Sequence, residues 1–304
     1  MASTVITSGN ITQLLIPGAQ SITSNYPYYF NEWKMIYTIV PSIKNVETDI
    51  EVSTLNGAGY YDEASSMPKG TMKQAYITST KLKQAGISFT ISQIALEDNL
   101  YPDEFPKGIV GCKENLRILS EYKGIALFDN AFAPTSSDYI LGDGQPMCSF
   151  NHPLAEGVNS NRLNPSDLNE TSAQDAIKIA QYMLDYSGLP RKIVPKSYLV
   201  GIENQYNVQI LTGSAYRSFD STNAINPLTY GEYLQGGYIL SHYMQNADNW
   251  FLLTSFTDGL VWYQRKSLEI RMSTDQATQN IGVYASERYA PRCINYRCVV
   301  GVPG

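Results

Sequence analysis

The sequence predicts an α+β fold on three observations: one helical pattern far longer than any other, strand-like segments that do not alternate regularly with helices, and a run of strands towards the carboxyl terminus. The 304 residues suffice for one large or two modest domains, and a hydrophobic share of 43% is that of an ordinary globular chain. Charged residues make up only 16%, the net charge is −6, and no cluster of Lys and Arg could track a phosphate backbone. Tight, salt-sensitive nucleic-acid binding is therefore excluded as the main activity.

Residues 1–31 carry no charge, show neither the helical nor the strand period, and contain the turn signals Pro17, Gly18 and "SNYPYY". They read as an extended arm whose apolar members Leu14, Leu15 and Ile16 need a surface outside their own domain. No basic leader precedes an apolar core and no window nears eighteen apolar residues, so a soluble cytosolic product is expected.

Val46 to Leu55 and Thr71 to Thr80 read as two strands around "NGAGYYDEASSMPKG", a long hairpin with Tyr60, Tyr61 and Lys69 at its tip. An isolated two-stranded ribbon is marginal in water, so it must lie on something. Tyrosine is abundant, 23 against 9 Phe and 3 Trp, and a ring with a hydroxyl suits subunit contacts that are apolar on one side and wet on the other.

Ile87, Phe89 and Ile91 alternate as a strand with one buried face. The longest helix spans roughly Pro106 to Phe132, with Ile109, Cys112, Leu116, Leu119, Tyr122 and Ala126 as its apolar stripe. Asp103 and Glu104 suit its positive end. At 1.5 Å per residue it runs roughly 40 Å, a spine rather than a compact-domain helix. A second helix covers Ser172 to Tyr186, with Ala173, Ala176, Ile177, Ala180 and Leu184 on one side and Gly188 and Pro190 as its stop. A strand at "KSYLVG", a helix at "IENQYNVQILTG", a loop over 220–237, and strands at "GYILSHYM", "NWFLLTSF", "LVWYQR" and "CINYRCVV" complete the chain.

Signals for catalysis are weak. No phosphate-cradling glycine loop and no His-Glu-x-x-His occurs. Ser66 and Lys69 have the Ser-x-x-Lys spacing of some acyl-transfer enzymes, but Pro68 denies the helix that would align them, and the companion motifs are absent. Adjacent Glu97 and Asp98 diverge on a helix and read as helix-start acids. Cys293 and Cys298, five apart in a strand-like segment, point to opposite faces, so they read as buried apolar residues rather than a shared metal site. His242 reads as a strand residue. His152 could act as a base with Ser149 or Asp143, yet Pro153 and the flanking Asn and Gly are turn formers, and pinning a loop is the stronger reading.

Residues 130–168, "NAFAPTSSDYILGDGQPMCSFNHPLAEGVNSNRLNPSDL", resemble the segment of tailed-phage major capsid proteins that leads from the spine helix through an Asp-Gly turn to Phe-x-x-His-Pro. "GLPRKIVPKSYLVGIENQYNVQIL", "INPL" and "NWFLLTS" downstream, and "MPKGTMKQAYITSTKLKQAGISFTISQIALEDNLY" upstream, resemble the same family, particularly the major head subunits of Mu-like phages. The likeness spans about residues 60 to 265 and lies in motif order.

That resemblance implies the Hong Kong 97-type fold: an arm (1–45), an extended loop (46–81), a peripheral domain (82–165 and 262–304) and an axial domain (166–261). It implies a virion protein, assembled in the host cytoplasm as pentamers and hexamers into an icosahedral shell near packaged double-stranded DNA. A separate scaffolding protein, a portal and a decoration or cement protein are the implied partners, with no cofactor, no membrane and no catalytic or metal-binding residue. Leu14, Leu15, Ile16, Tyr60, Tyr61 and Lys69 are the expected inter-subunit contacts. No feature marks a Lys–Asn cross-link, so a non-covalent shell is expected. Two alternatives stand beside it: an encapsulin-like compartment enclosing protein cargo, and a hydrolase centred on His152.

Overall fold

The protein is described from a computed structural model that covers residues 5–6, 31–92, 104–216, 225–230, 234, 236–256, 259–275, 277–278 and 280–304. Leu14, Leu15, Ile16, Glu97, Asp98 and Asp103 lie outside the described residues.

Two sheets share one core. The first has five strands in the order β1 (Val5–Ile6), β5 (Lys83–Ile91), β12 (Ile281–Cys293), β11 (Leu260–Thr274) and β2 (Thr38–Pro41). Its centre is the antiparallel pair β11 and β12, in register from Leu260 opposite Cys293 to Thr274 opposite Ile281, with irregularities between Gln264 and Glu269. Helix α2 (Glu104–Asp129) packs against β12 and β5. Its 26 residues make the expected spine.

The spine's buried face departs from the expected stripe. Ile109, Cys112 and Leu116 face inward as expected, whereas Leu119 and Tyr122 are exposed, and the buried side continues through Glu121, Ile125 and Phe128. The helix changes partner along its length. Its first half lies on the five-stranded sheet, and its second half meets the short helix α1 (Trp33–Ile36) and the next sheet. Close approach requires Gly124, where an added Cβ would sit 2.8 Å from that of Trp33. Trp33 stacks on Trp262 at 3.8 Å, and Tyr37 donates its hydroxyl to the Gly124 carbonyl at 2.6 Å.

The second sheet runs β13 (Val299–Val302), β10 (Trp250–Thr254), β8 (Pro195–Gly201), β9 (Tyr238–Ser241). β10 is buried at every residue, which explains its unbroken apolar run. One face places Tyr198, Trp250, Leu252 and Val300 against α3 (Glu170–Tyr182) and α4 (Gln205–Gly213). The other places Leu199, Phe251 and Val299 in the same core as Phe128 of the spine. Asn169 and Ser172 form a reciprocal capping box at the start of α3.

Several local expectations need correction. α3 stops at Tyr182, because Met183 turns extended and Leu184 pairs with Pro190 across a tight turn in which Gly188 takes φ +80°. The loop expected over 220–237 contains a short helix, α5 (Pro227–Tyr230). His242 lies just beyond β9, its Nδ1 2.5 Å from Glu32 Oε1.

"CINYRCVV" is not one strand. β12 ends at Cys293, a 3-10 turn over Tyr296–Cys298 follows, and Asn295 caps it by accepting the Arg297 N–H. The turn breaks the period of two, so Cys293 and Cys298 face each other with sulfurs 3.7 Å apart, and Asn295 and Arg297 are buried. Both thiols are buried as small apolar groups. Among the described residues no cluster of His, Cys, Asp or Glu could hold a metal ion, and no helix is long and apolar enough to cross a membrane.

Candidate assembly surfaces

The hairpin forms as expected from β3 (Val46–Val52) and β4 (Gln74–Lys81), paired from Val46 opposite Lys81 to Val52 opposite Gln74, with a further bridge between Asn56 and Thr71. Strict alternation in "VETDIEV" gives the ribbon an acidic face and an apolar face. Its orientation is the reverse of a soluble ribbon's. Glu47, Asp49 and Glu51 face the subunit, and Val46, Ile50 and Val52 face water together with Ile77 of β4.

The inward acids are all engaged. Tyr263 donates its hydroxyl to Asp49 at 2.7 Å. Glu51 Oε1 accepts from Arg297 at 2.5 Å and from Asn295 at 3.0 Å. Thr54 donates its N–H and hydroxyl to Asp185 Oδ2 at 2.6 and 2.5 Å. Burial pushes the Asp185 carboxyl up, but these hydrogen bonds and nearby Arg191 outweigh it and hold Asp185 below its ordinary value.

Beyond Thr54 the ribbon leaves the body. Every residue from 57 to 74 is exposed, and among the described residues no hydrogen bond joins 55–72 to the rest of the subunit. Tyr60 is fully exposed and Tyr61 is 56% exposed. Lys69 is exposed on the returning limb. A turn closed by the Ser65 N–H on the Asp62 carbonyl at 3.1 Å shapes the tip, with Ala64 in the left-handed region at φ +66°. Ser66 and Lys69 lie in this irregular segment with no helix to align them, so the Ser-x-x-Lys spacing assembles no acyl-transfer site.

His152 is fully buried in a two-residue ladder, β6 (His152–Pro153) on β7 (Val158–Asn159). Its ring stacks on Tyr296 at 3.8 Å, with Nδ1 2.6 Å from Asp143 Oδ2 and Nε2 3.0 Å from Asn161 Oδ1. Asn161 donates to the carbonyls of Met147, Tyr296 and Val299 and accepts the Ser149 N–H. Its oxygen is thus an acceptor for His152, and both ring nitrogens are committed. Of the two proposed partners, Asp143 meets the ring; Ser149 donates its hydroxyl to Gln145 instead. The cavity bordered by Asp143 and Tyr296 measures about 10 Å³, room for about one water and not for a substrate. The geometry is that of a loop pin.

Sequence reasoning missed three features. The outward apolar ribbon face was legible as alternation, but alternation does not say which face turns inward. Leu119, Tyr122 and Ile118 form an exposed strip on the spine, indistinguishable by spacing from core positions. Glu121, fully buried, accepts the N–H groups of Glu32 and Trp33 at 2.9 and 3.2 Å and so satisfies the open end of α1 from 88 residues away. No local signal marks that pairing.

No family model and no curated protein matches the chain. Solved structures do. A structure of Mycobacterium phage Patience aligns with a TM-score of 0.54 at 12% identity, covering 100% of this chain and 93% of its own. The capsid of the native GTA particle aligns at 0.53 and 12% identity, covering 95% and 99%. A virus-like particle from Pyrococcus furiosus aligns at 0.52 and 11% identity, covering 88% and 89%. At such identities the likeness establishes the fold, which is that of phage capsid structures.

Proposed function

We propose that this chain is the major head subunit of a tailed double-stranded DNA phage, tiling an icosahedral shell as pentamers and hexamers. The carrying observation is the ribbon whose charges are consumed against its own subunit while Val46, Ile50, Val52 and Ile77 face water. A free monomer gains nothing from that orientation. Covering each half-exposed side chain on a neighbour yields on the order of 1 kcal/mol, and many weak contacts per subunit make a shell stable.

In this reading residues 1–45 are the arm, 46–81 the extended loop, 82–165 with 262–304 the peripheral domain and 166–261 the axial domain. Leu14 to Ile16, Tyr60, Tyr61 and Lys69 contact neighbours. Motif order favours the Mu-like head subunits within the class, with scaffold, portal and decoration proteins as partners and the virion as location. The net charge of −6 suits a wall that does not grip packaged DNA. Deleting residues 56–70 tests this: the variant folds, as judged by circular dichroism, and forms no shells. Intact shells from it would refute the role given to the loop.

A second reading draws on the similarity to the Pyrococcus furiosus virus-like particle: a compartment shell around protein cargo. Cargo protein co-purifying with shells from native cells, in place of DNA, would favour it.

A further inference from the structure

We infer that Cys293 and Cys298 are a site of redox modification: a small peroxide converts them to a disulfide within the subunit, clipping the turn before β13. Their sulfurs lie 3.7 Å apart, in van der Waals contact, and the bond requires them to close by about 1.7 Å. The 3-10 turn over Tyr296–Cys298 brings them together. Both thiols donate to one acceptor, the Asn295 carbonyl, at 3.4 and 2.8 Å. That shared acceptor gathers the two sulfurs. All four cysteines of the chain are free thiols. Cys112 belongs to a separate apolar cluster on the spine, and Cys148, in the same core as the pair, is the competing partner.

The pair has a route to solvent. Cys298 lines a cavity of about 280 Å³ with Ile36, Thr254 and Phe256, and the exposed residues Met35 and Lys196 line it too. That volume holds more than one water, enough for hydrogen peroxide. The Cys298 sulfur attacks one peroxide oxygen, the O–O bond breaks, and a sulfenic acid and one water result. The Cys293 sulfur then attacks that sulfur, the S–O bond breaks, and the departing hydroxyl leaves as a second water with the Cys293 proton. Two thiols lose two electrons in all, and one peroxide gains them. Burial pushes the Cys298 thiol up, so thiolate is scarce and the clip closes slowly.

The closed ring spans the turn that carries Arg297. Arg297 holds Glu51 of the ribbon at 2.5 Å and the Leu184 carbonyl at 2.7 Å, so the clip fixes the joint between the ribbon's foot and the body. Its timing rests on the shell reading: the pair stays reduced while the chain is made in a reducing cytosol and closes after release into an oxidising medium. The chemistry of the pair is independent of that reading.

Peptide mapping tests the clip on the purified full chain. Arg292 and Arg297 place one tryptic cut before each cysteine, giving peptides 293–297 and 298–304. After dilute hydrogen peroxide and a maleimide quench in denaturant, the two peptides are expected to run as one species that separates on reduction. Maleimide-reactive thiols are expected to fall from four to two per chain. The midpoint of thermal unfolding is expected to rise by about 3 °C and to return with dithiothreitol. Cys148→Ser should keep the joined species, and Cys293→Ser should lose it. Four thiols remaining after peroxide, sulfinic acids in place of a disulfide, or a bond to Cys148 or Cys112 would overturn the inference. A clip that forms in a protein yielding no shells would leave the chemistry standing and overturn its timing.

Discussion

Glu51 Oε1 lies 2.5 Å from Nη1 of Arg297, joining the ribbon to the carboxyl-terminal turn across 246 positions of sequence. Arg297 is 1% exposed, stacks against Tyr296 and donates Nε to the Leu184 carbonyl at 2.7 Å. One guanidinium thus holds together the ribbon, the turn after α3 and the turn before β13.

Removing the carboxylate leaves that guanidinium buried without a countercharge. Glu51→Ala is expected to cost ~3–5 kcal/mol of stability, read as a lower urea midpoint, and to expose the foot of the ribbon to proteolysis. Glu51→Gln retains a hydrogen-bond acceptor and should cost less.

The outward face of the ribbon separates folding from assembly. Ile50 and Ile77, directly opposed in register and each about half exposed, can both become Lys with a stability change of ~0.5 kcal/mol or less. Assembly of the Ile50→Lys, Ile77→Lys variant, followed by light scattering, should fall sharply while the unfolding curve of the monomer stays in place.

Asn161 should matter more to stability than His152's place in a catalytic search would suggest. Its fully buried amide serves three carbonyls, the Ser149 N–H and the His152 ring. Asn161→Ala leaves several buried groups unmatched and is expected to cost at least ~3 kcal/mol, seen as a lowered melting temperature.

Glu287 gives the folded subunit a pH dependence of definite sign. Burial pushes its carboxyl up to about 7, and its Oε1 has no hydrogen-bond partner among the described residues. The folded state therefore keeps a proton that the unfolded chain releases near its ordinary value of 4.5. Stability from this group is greatest on the acid side, falls as pH rises from about 4.5 to about 7 and is level above that. Partial solvent screening reduces the total to ~1–2 kcal/mol. Glu287→Gln should flatten the slope in urea unfolding measured across that range; an unchanged slope would assign it elsewhere.

The spine, both strands of the ribbon and the second amphipathic helix were legible because each rests on a local period. Partner choice was not. The stripe through Leu119 and Tyr122 assumed one neighbour for the whole spine, and the helix has two. Cys293 and Cys298 read as opposite-facing because the strand period of two runs unbroken through the segment in sequence, whereas Asn295 caps a turn that interrupts it. Three of the expected contacts, Leu14, Leu15 and Ile16, lie outside the described residues, and Tyr60, Tyr61 and Lys69 are exposed in the single subunit. The ribbon's inverted faces depend on Tyr263, Asn295 and Arg297, more than 200 residues away, and no window of the sequence contains both halves.

The mass of the purified protein in solution, measured by light scattering with negative-stain images of the heaviest fraction, tests the shell assignment most directly. Closed shells, or rings of five and six subunits, are the predicted result. A monomer of 33.8 kDa at every concentration, persisting on co-expression with candidate scaffolding proteins, would contradict it.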